Sequence, residues 1–233
     1  MGNVFTPDNI MLMARLLGLL FAIPVHETAH AWVSNKLGDP TARQLGRLTL
    51  NPIKHFDMLG LLSMLIIGVG WAKPVPVDAR YYKNRKVGMA LTALAGPVSN
   101  LLLAYIGLVL QKVFSYTVYF AAGDALPFWA QVVQMLLYYF AFINVSLALF
   151  NLLPIPPLDG SRVLGLFLPD SVNFSLQRME RYIMFALLAV VFLLPRLTGF
   201  SPISWLLGDA VNAVMRALGW MSGFVEAGFN LLF

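Results

Sequence analysis

The 233-residue sequence predicts an all-α polytopic membrane protein, a helical bundle of about four to six transmembrane segments. Three observations carry the prediction. Hydrophobic residues make up 59% of the chain and charged residues 12%, with a mean hydropathy of +0.74, far from the balance of a soluble domain. Several apolar stretches run to roughly 20 residues, enough helix to cross a hydrocarbon layer of about 30 Å. Lys and Arg gather on particular connections, which reads as an orientation signal; despite the net charge of +5, no nucleic-acid partner is expected. No polar stretch is long enough for a separate soluble domain. Residues 1–233 therefore read as one integral-membrane domain, with a core over 10–168 and further helices over 176–233. The absence of Cys excludes disulfides, thiol nucleophiles and thiolate metal sites.

Segment one runs from about Ile10 to Val33. Pro24 within it frees a carbonyl and kinks the helix, or is an ordinary tolerated membrane proline. Residues 34–56 are polar and basic, and 44–50 alternate weakly enough to suggest a short strand. Residues 58–71 are apolar but too few for a crossing, which suits a re-entrant or interfacial piece between the first two segments. Gly70–Val77 follows, where Pro74 and Pro76 favour an extended, β-like edge. Segment two spans about Val87–Leu110 and carries a small, polar patch, Ala95-Gly96-Pro97-Val98-Ser99-Asn100. Gly96 suits close helix packing, and Asn100 calls for a polar partner. Residues 111–128 read as a connection.

Segment three spans about Trp129–Leu153 and ends in Asn151-Leu152-Leu153-Pro154-Ile155-Pro156-Pro157-Leu158-Asp159-Gly160, whose prolines prevent a regular helix. Asp159 is either the N-cap of a following helix or a metal ligand. Segment four spans about Tyr182–Leu194, starting as early as Leu176. Residues 200–233 are apolar but broken by Asp209, Arg216 and Glu226, and fit a crossing or an interfacial amphipathic helix.

The chemistry concentrates in His26-Glu27-Thr28-Ala29-His30. On a helix the two histidines stand one turn apart on one face, so both imidazoles reach a single ion. Glu27 beside them is placed to take a proton from water at an open metal position. Two imidazoles and a carboxylate suit Zn²⁺. Polar groups this deep in a membrane segment are costly unless they pair or bind something. His26 lies about 24 Å of helix beyond Ile10, inside the hydrocarbon layer near its far face.

Topology supplies a parity test for the third ligand. If 58–71 does not span, segments one, two and three bring Asp159 out at the face that holds the histidines. If it does span, Asp159 ends roughly 30 Å away. In the first topology one side carries Lys36, Arg43, Arg47, Lys54, Lys73, Arg80, Lys83, Arg85, Lys86, Arg162, Arg178 and Arg181, twelve of the sixteen Lys and Arg. The positive-inside rule then sets the site near the cytoplasmic face of the cell membrane.

His-Glu-x-x-His on one membrane helix, Ala-Gly-Pro-x-x-Asn on the next and Asn-x-x-Pro-x-x-Pro-Leu-Asp-Gly after another resemble the site-2 protease family of intramembrane zinc metalloproteases. The resemblance covers roughly residues 10–168 and is of a short type without PDZ or CBS domains. It implies zinc on His26, His30 and Asp159, Glu27 as general base, and Asn151 steadying the substrate or its oxyanion. The implied reaction is hydrolysis of a peptide bond within or near transmembrane segments of other membrane proteins. Candidate substrate-binding residues are Trp71, Lys73, Pro74 and Val75, by edge addition to the extended piece, with Asn100 and His55 lining the site. His55 also stands as an alternative metal ligand. Competing readings are a CaaX-type membrane zinc protease with Glu226 as third ligand, and a non-enzymatic metal transporter or membrane scaffold.

Overall fold

The computed structural model describes residues 6–57, 73–122 and 126–232. Helix α1 (Pro7–Lys36) starts on a capping Thr6, whose hydroxyl accepts from the Asn9 amide. It runs unbroken through Pro24, which is fully buried. Short helices α2 (Thr41–Gln44) and α3 (Pro52–His55) follow, then a 3-10 turn at Ala79–Tyr81. Helix α4 spans Arg85–Ala122 and α5 spans Phe128–Asn151. Helix α6 (Asp159–Leu164) is short. Helix α7 (Asp170–Leu188) continues through a π turn at Ala189–Leu193 into α8 (Leu194–Thr198), and α9 (Pro202–Met221) and α10 (Phe224–Leu232) complete the chain.

Among the described residues, four stretches are long and apolar enough to cross a membrane: Asn9–Lys36, Arg85–Ala121, Phe128–Asn151 and Asp170–Thr198. Helices α1, α4 and α5 pack on one another as a three-helix centre. Small residues make this possible: Ala22, Ala31, Ala104, Ala141 and Ala148 are all fully buried at the contacts. Helix α9 joins from the side. Its Val211 and Met215 pack on Ala104, Leu108, Ala141 and Val145. The stretch 202–221, undecided from sequence, is thus an amphipathic helix seated on the bundle. No residue of α7 is buried, so its apolar surface is left for lipid.

Two expectations are corrected. Residues 44–50 form no strand: α2 ends in a turn at Gly46, where φ is +65°, and the chain then bends. Weak alternation over seven residues yields here to the glycine that closes the helix. Residues 111–122 are helix rather than connection, because α4 continues to Ala122. The polar groups that suggested a loop are satisfied on the helix. Ser115 and Thr117 donate to the carbonyls of Gln111 and Val113, and Lys112 pairs with Glu226.

The apolar piece 58–71 lies outside the described residues. Its flanks are described, and they meet: the Lys73 amide donates to the His55 carbonyl at 2.8 Å. Among the described residues there is no β-strand; 73–78 form neither helix nor strand, with Asp78 extended at φ −117° and ψ 102°.

Candidate metal centre

Helix α1 sets His26 and His30 on one face, with their Nε2 atoms 2.9 Å apart. Asp159, the first residue of α6, points its Oδ2 between them, 3.2 Å from His26 Nε2 and 3.4 Å from His30 Nε2. It caps nothing, since Leu158 holds the cap position and no side chain there bonds the helix end. Among the described residues these three form the one cluster able to hold a metal ion.

The hydrogen bonds behind the histidines fix which ring nitrogen is left for a ligand. His30 Nδ1 lies 2.7 Å from the Thr92 carbonyl oxygen. A carbonyl accepts only, so Nδ1 is the donor and Nε2 is the nitrogen that can bind a metal. For His26 the chain of logic is longer. Asn144 Nδ2 donates to the Phe140 carbonyl at 2.9 Å, which turns Asn144 Oδ1 toward Asn100. Asn100 Nδ2 donates to that oxygen at 2.9 Å, which turns Asn100 Oδ1 toward His26 Nδ1 at 2.6 Å. So Nδ1 donates, and His26 Nε2 is left to face Asp159 too. Three ligand atoms thus converge, with Asp159 Oδ2 buried between the two Nε2 atoms. Such a set needs a cation among them, a metal ion or a proton.

Zn²⁺ fits. Tetrahedral ligands at about 2.0–2.1 Å stand roughly 3.3 Å from one another, and the observed separations bracket that value. Helix α4 shapes the wall opposite. Thr92, Gly96 and Asn100 recur at four-residue spacing, so they share the face turned to the histidines. A Cβ on Gly96 would lie 2.5 Å from both Nε2 atoms. The glycine therefore keeps open the space beside the ligands, a stricter demand than helix packing alone.

Glu27 Oε2 accepts from the Val75 amide at 3.0 Å. The segment that supplies this amide is itself tied down. The Lys73 amide is on His55, and the Lys73 and Pro74 carbonyls both accept from Arg47 Nη2. Those backbone groups of 73–75 are thus already engaged, while the Lys73 and Pro74 side chains are exposed. Trp71 lies outside the described residues.

The remaining candidates separate clearly. Asn100 is fully buried with its amide engaged on both sides, so it holds His26 rather than facing a ligand. His55 is also fully buried; its Nε2 lies 2.6 Å from the Thr49 carbonyl, which also accepts from Thr28 Oγ1 at 2.6 Å. It is not part of the metal cluster. Asn151 donates to Leu147 of its own helix at 3.0 Å. Glu226 is bound to Lys112 at 2.8 Å across α4 and α10, so the CaaX-type ligand set is not formed.

A second polar network centres on Asp39, past the end of α1, and reaches Ser34 on α1 and Thr92 on α4. Asp39 accepts from Ser34 Oγ and from the amides of Thr41 and Asp78. Ser34 and Thr92 each bond the Tyr82 hydroxyl, at 2.8 and 3.0 Å, and Thr92 is the residue that holds His30. Burial pushes the Asp39 carboxyl up, but these donors outweigh it and hold the group below the usual carboxylate range. Sequence reading missed Thr92, Arg47 and this network. For Thr92 the signal was its register with Gly96 and Asn100; for a backbone carbonyl or a loop arginine there was none.

Comparison with known proteins agrees with the geometry. The family model for peptidase family M50 matches residues 118–194, which include Asn151 and Asp159. The chain is 41% identical to YwhC of Bacillus subtilis over 184 residues, covering 77% of this chain and 80% of that protein. It is 32% identical to Rip2 of Mycobacterium tuberculosis over 198 residues, 82% of this chain and 71% of that protein. It is 31% identical to MJ0611 of Methanocaldococcus jannaschii over 167 residues, 69% of this chain and 75% of that protein. All three bear the name of a zinc metalloprotease. No solved structure matches the chain significantly. Sequence kinship along most of the chain and a three-ligand centre beside a glutamate lead to one conclusion: the chain belongs to peptidase family M50, the site-2 protease family.

Proposed function

We propose that this protein is an intramembrane zinc metalloprotease that hydrolyses a peptide bond within or near transmembrane segments of other membrane proteins. The observation that carries the reading is the convergence of His26 Nε2, His30 Nε2 and Asp159 Oδ2 next to the carboxylate of Glu27. His26, His30 and Asp159 would hold zinc, which when bound supplies a water of lowered pKa and polarises the scissile carbonyl. Glu27 takes the proton of the attacking water and delivers it to the leaving amine as the C–N bond breaks. Asn100 and Thr92 keep both rings in the ligating tautomer throughout. Asn151 donates to the oxygen that gains charge, giving up Leu147 to do so. Trp71, Lys73, Pro74 and Val75 are the candidate contacts to the bound segment, and His55 buttresses Lys73 through its carbonyl. The excess of Lys and Arg on the side holding Asp159 supports a site near the cytoplasmic face of the cell membrane.

The test is reconstitution with a panel of single-span membrane proteins. Cleavage is expected with zinc, absent after chelation and restored by added zinc. Cleavage that persists in a chelated, zinc-free preparation contradicts the proposal.

A further inference from the structure

Arg47 is an unusual residue to find buried here. It is 6% exposed, and its guanidinium donates to the Lys73 and Pro74 carbonyls. Its Nε is buried with no hydrogen-bond partner. A charge withdrawn from water onto neutral carbonyls, with one donor unmet, is costly unless it serves a placement. The chain delivers Arg47 there by a defined device. Helix α2 ends in a Schellman turn: the Arg47 amide donates to the Ala42 carbonyl at 2.8 Å and the Gly46 amide to Arg43 at 3.1 Å, with Gly46 left-handed at φ +65°. Thr28 then pins the same loop to α1 through the Thr49 carbonyl. The next polar group after the two carbonyls Arg47 grips is the Val75 amide, and that amide holds Glu27.

We propose that Arg47 is a positioning residue for the Glu27 carboxylate. It fixes Lys73 and Pro74 from the loop side so that the Val75 N–H meets Oε2 on α1. The chain runs Gly46, Arg47, the 73–74 carbonyls, the Val75 amide, Glu27. The inference rests on the proposed role of Glu27 in the reaction. It assigns Arg47 no contact with substrate; since 73–75 also flank the bound segment, its loss acts on turnover more than on substrate affinity. Arginine suits the task because a rigid, planar guanidinium aims Nη2 at both carbonyls; lysine offers one compact ammonium on a flexible stem.

The test uses full-length protein with Arg47→Ala, Arg47→Lys, Val75→Pro and the double variant Arg47→Ala/Val75→Pro. Val75→Pro removes the amide hydrogen within a run already rich in proline. Hydrogen exchange is read over 73–77, where Lys73, Val75 and Val77 alone carry amide hydrogens. In Arg47→Ala, exchange there rises about tenfold or more while peptides of α5 stay as in the wild type, which general destabilisation would not produce. In cleavage, Arg47→Ala lowers kcat about tenfold to a hundredfold, more than it raises KM, and Arg47→Lys recovers part of it. The double variant falls no further than the worse single, because both changes break one chain. Unchanged exchange at 73–77, or multiplicative losses in the double variant, overturns the proposal. If Arg47→Ala does not fold, Arg47→Lys carries the same two readings, and its matching the wild type in both overturns it. Exchange is measured without substrate, so cleavage surviving in Glu27→Gln would end the proposed role of Glu27 and leave the exchange result standing.

Discussion

Asn100 Oδ1 lies 2.6 Å from His26 Nδ1, and Asn100 is in turn oriented by Asn144 on a third helix. The direction of a metal-facing lone pair on α1 is thus set from a backbone carbonyl on α5, at Phe140. Replacing Asn100 by Ala leaves His26 free to turn and to take the wrong tautomer. Zinc affinity is expected to fall about 10–100-fold, measured by competition with a chromogenic chelator. Affinity equal to the wild type would show that the ring is held by something else.

Gly96 faces both imidazoles. In Gly96→Ala the new methyl carbon occupies space 2.5 Å from each Nε2. The variant is expected to fold, by circular dichroism, and to purify without zinc. One zinc per chain retained in this variant would place the ion elsewhere.

Glu27 is expected to matter to turnover and not to metal retention. Glu27→Gln keeps the amide contact to Val75 possible but cannot accept a proton. Cleavage is expected to drop at least about 10²–10⁴-fold with zinc content unchanged, read by gel assay and elemental analysis of one preparation.

Glu226 and Lys112 form an ion pair remote from the histidines. Glu226→Ala is expected to leave zinc stoichiometry intact. Loss of the metal in this variant would revive the CaaX-type arrangement.

The histidine helix was legible in the sequence because helical period fixes which side chains share a face. The same period, applied to α4, puts Thr92, Gly96 and Asn100 together, yet Gly96 reads as packing until the histidines are seen 2.5 Å from where its Cβ would be. Asp159 was legible through its motif and the resemblance that motif carries, and a count of crossings that leaves out 58–71 is compatible with its reaching His30. What did not show was anything carried by backbone atoms: the Thr92 carbonyl on His30, the Val75 amide on Glu27, the carbonyls on Arg47. Any residue type could supply them. The end of segment two was misjudged for a related reason, since Lys112 looks like a loop residue until Glu226, more than a hundred positions away, is found beside it.

Asp39 gives a pH signature outside the membrane. Its carboxyl is held low in the folded protein by the Asp78 and Thr41 amides and the Ser34 hydroxyl, against burial. The stabilisation is therefore present above the ordinary carboxylate pKa of about 3.9 and lost as pH falls through the lower folded value. Thermal stability in detergent is expected to decline below about pH 4. Asp39→Asn, which turns a donor toward amides that are also donors, is expected to cost about 1–3 kcal/mol at neutral pH and to flatten the acid decline. An unaltered pH profile in Asp39→Asn would contradict this assignment.

Zinc-edge X-ray absorption on the purified wild-type protein tests the central claim most directly. The account predicts one zinc per chain with a nitrogen and oxygen shell at about 2.0–2.1 Å, imidazole scattering from two rings, and loss of that signal in Asp159→Ala. A spectrum without imidazole scattering, or one that Asp159→Ala leaves unchanged, would contradict it.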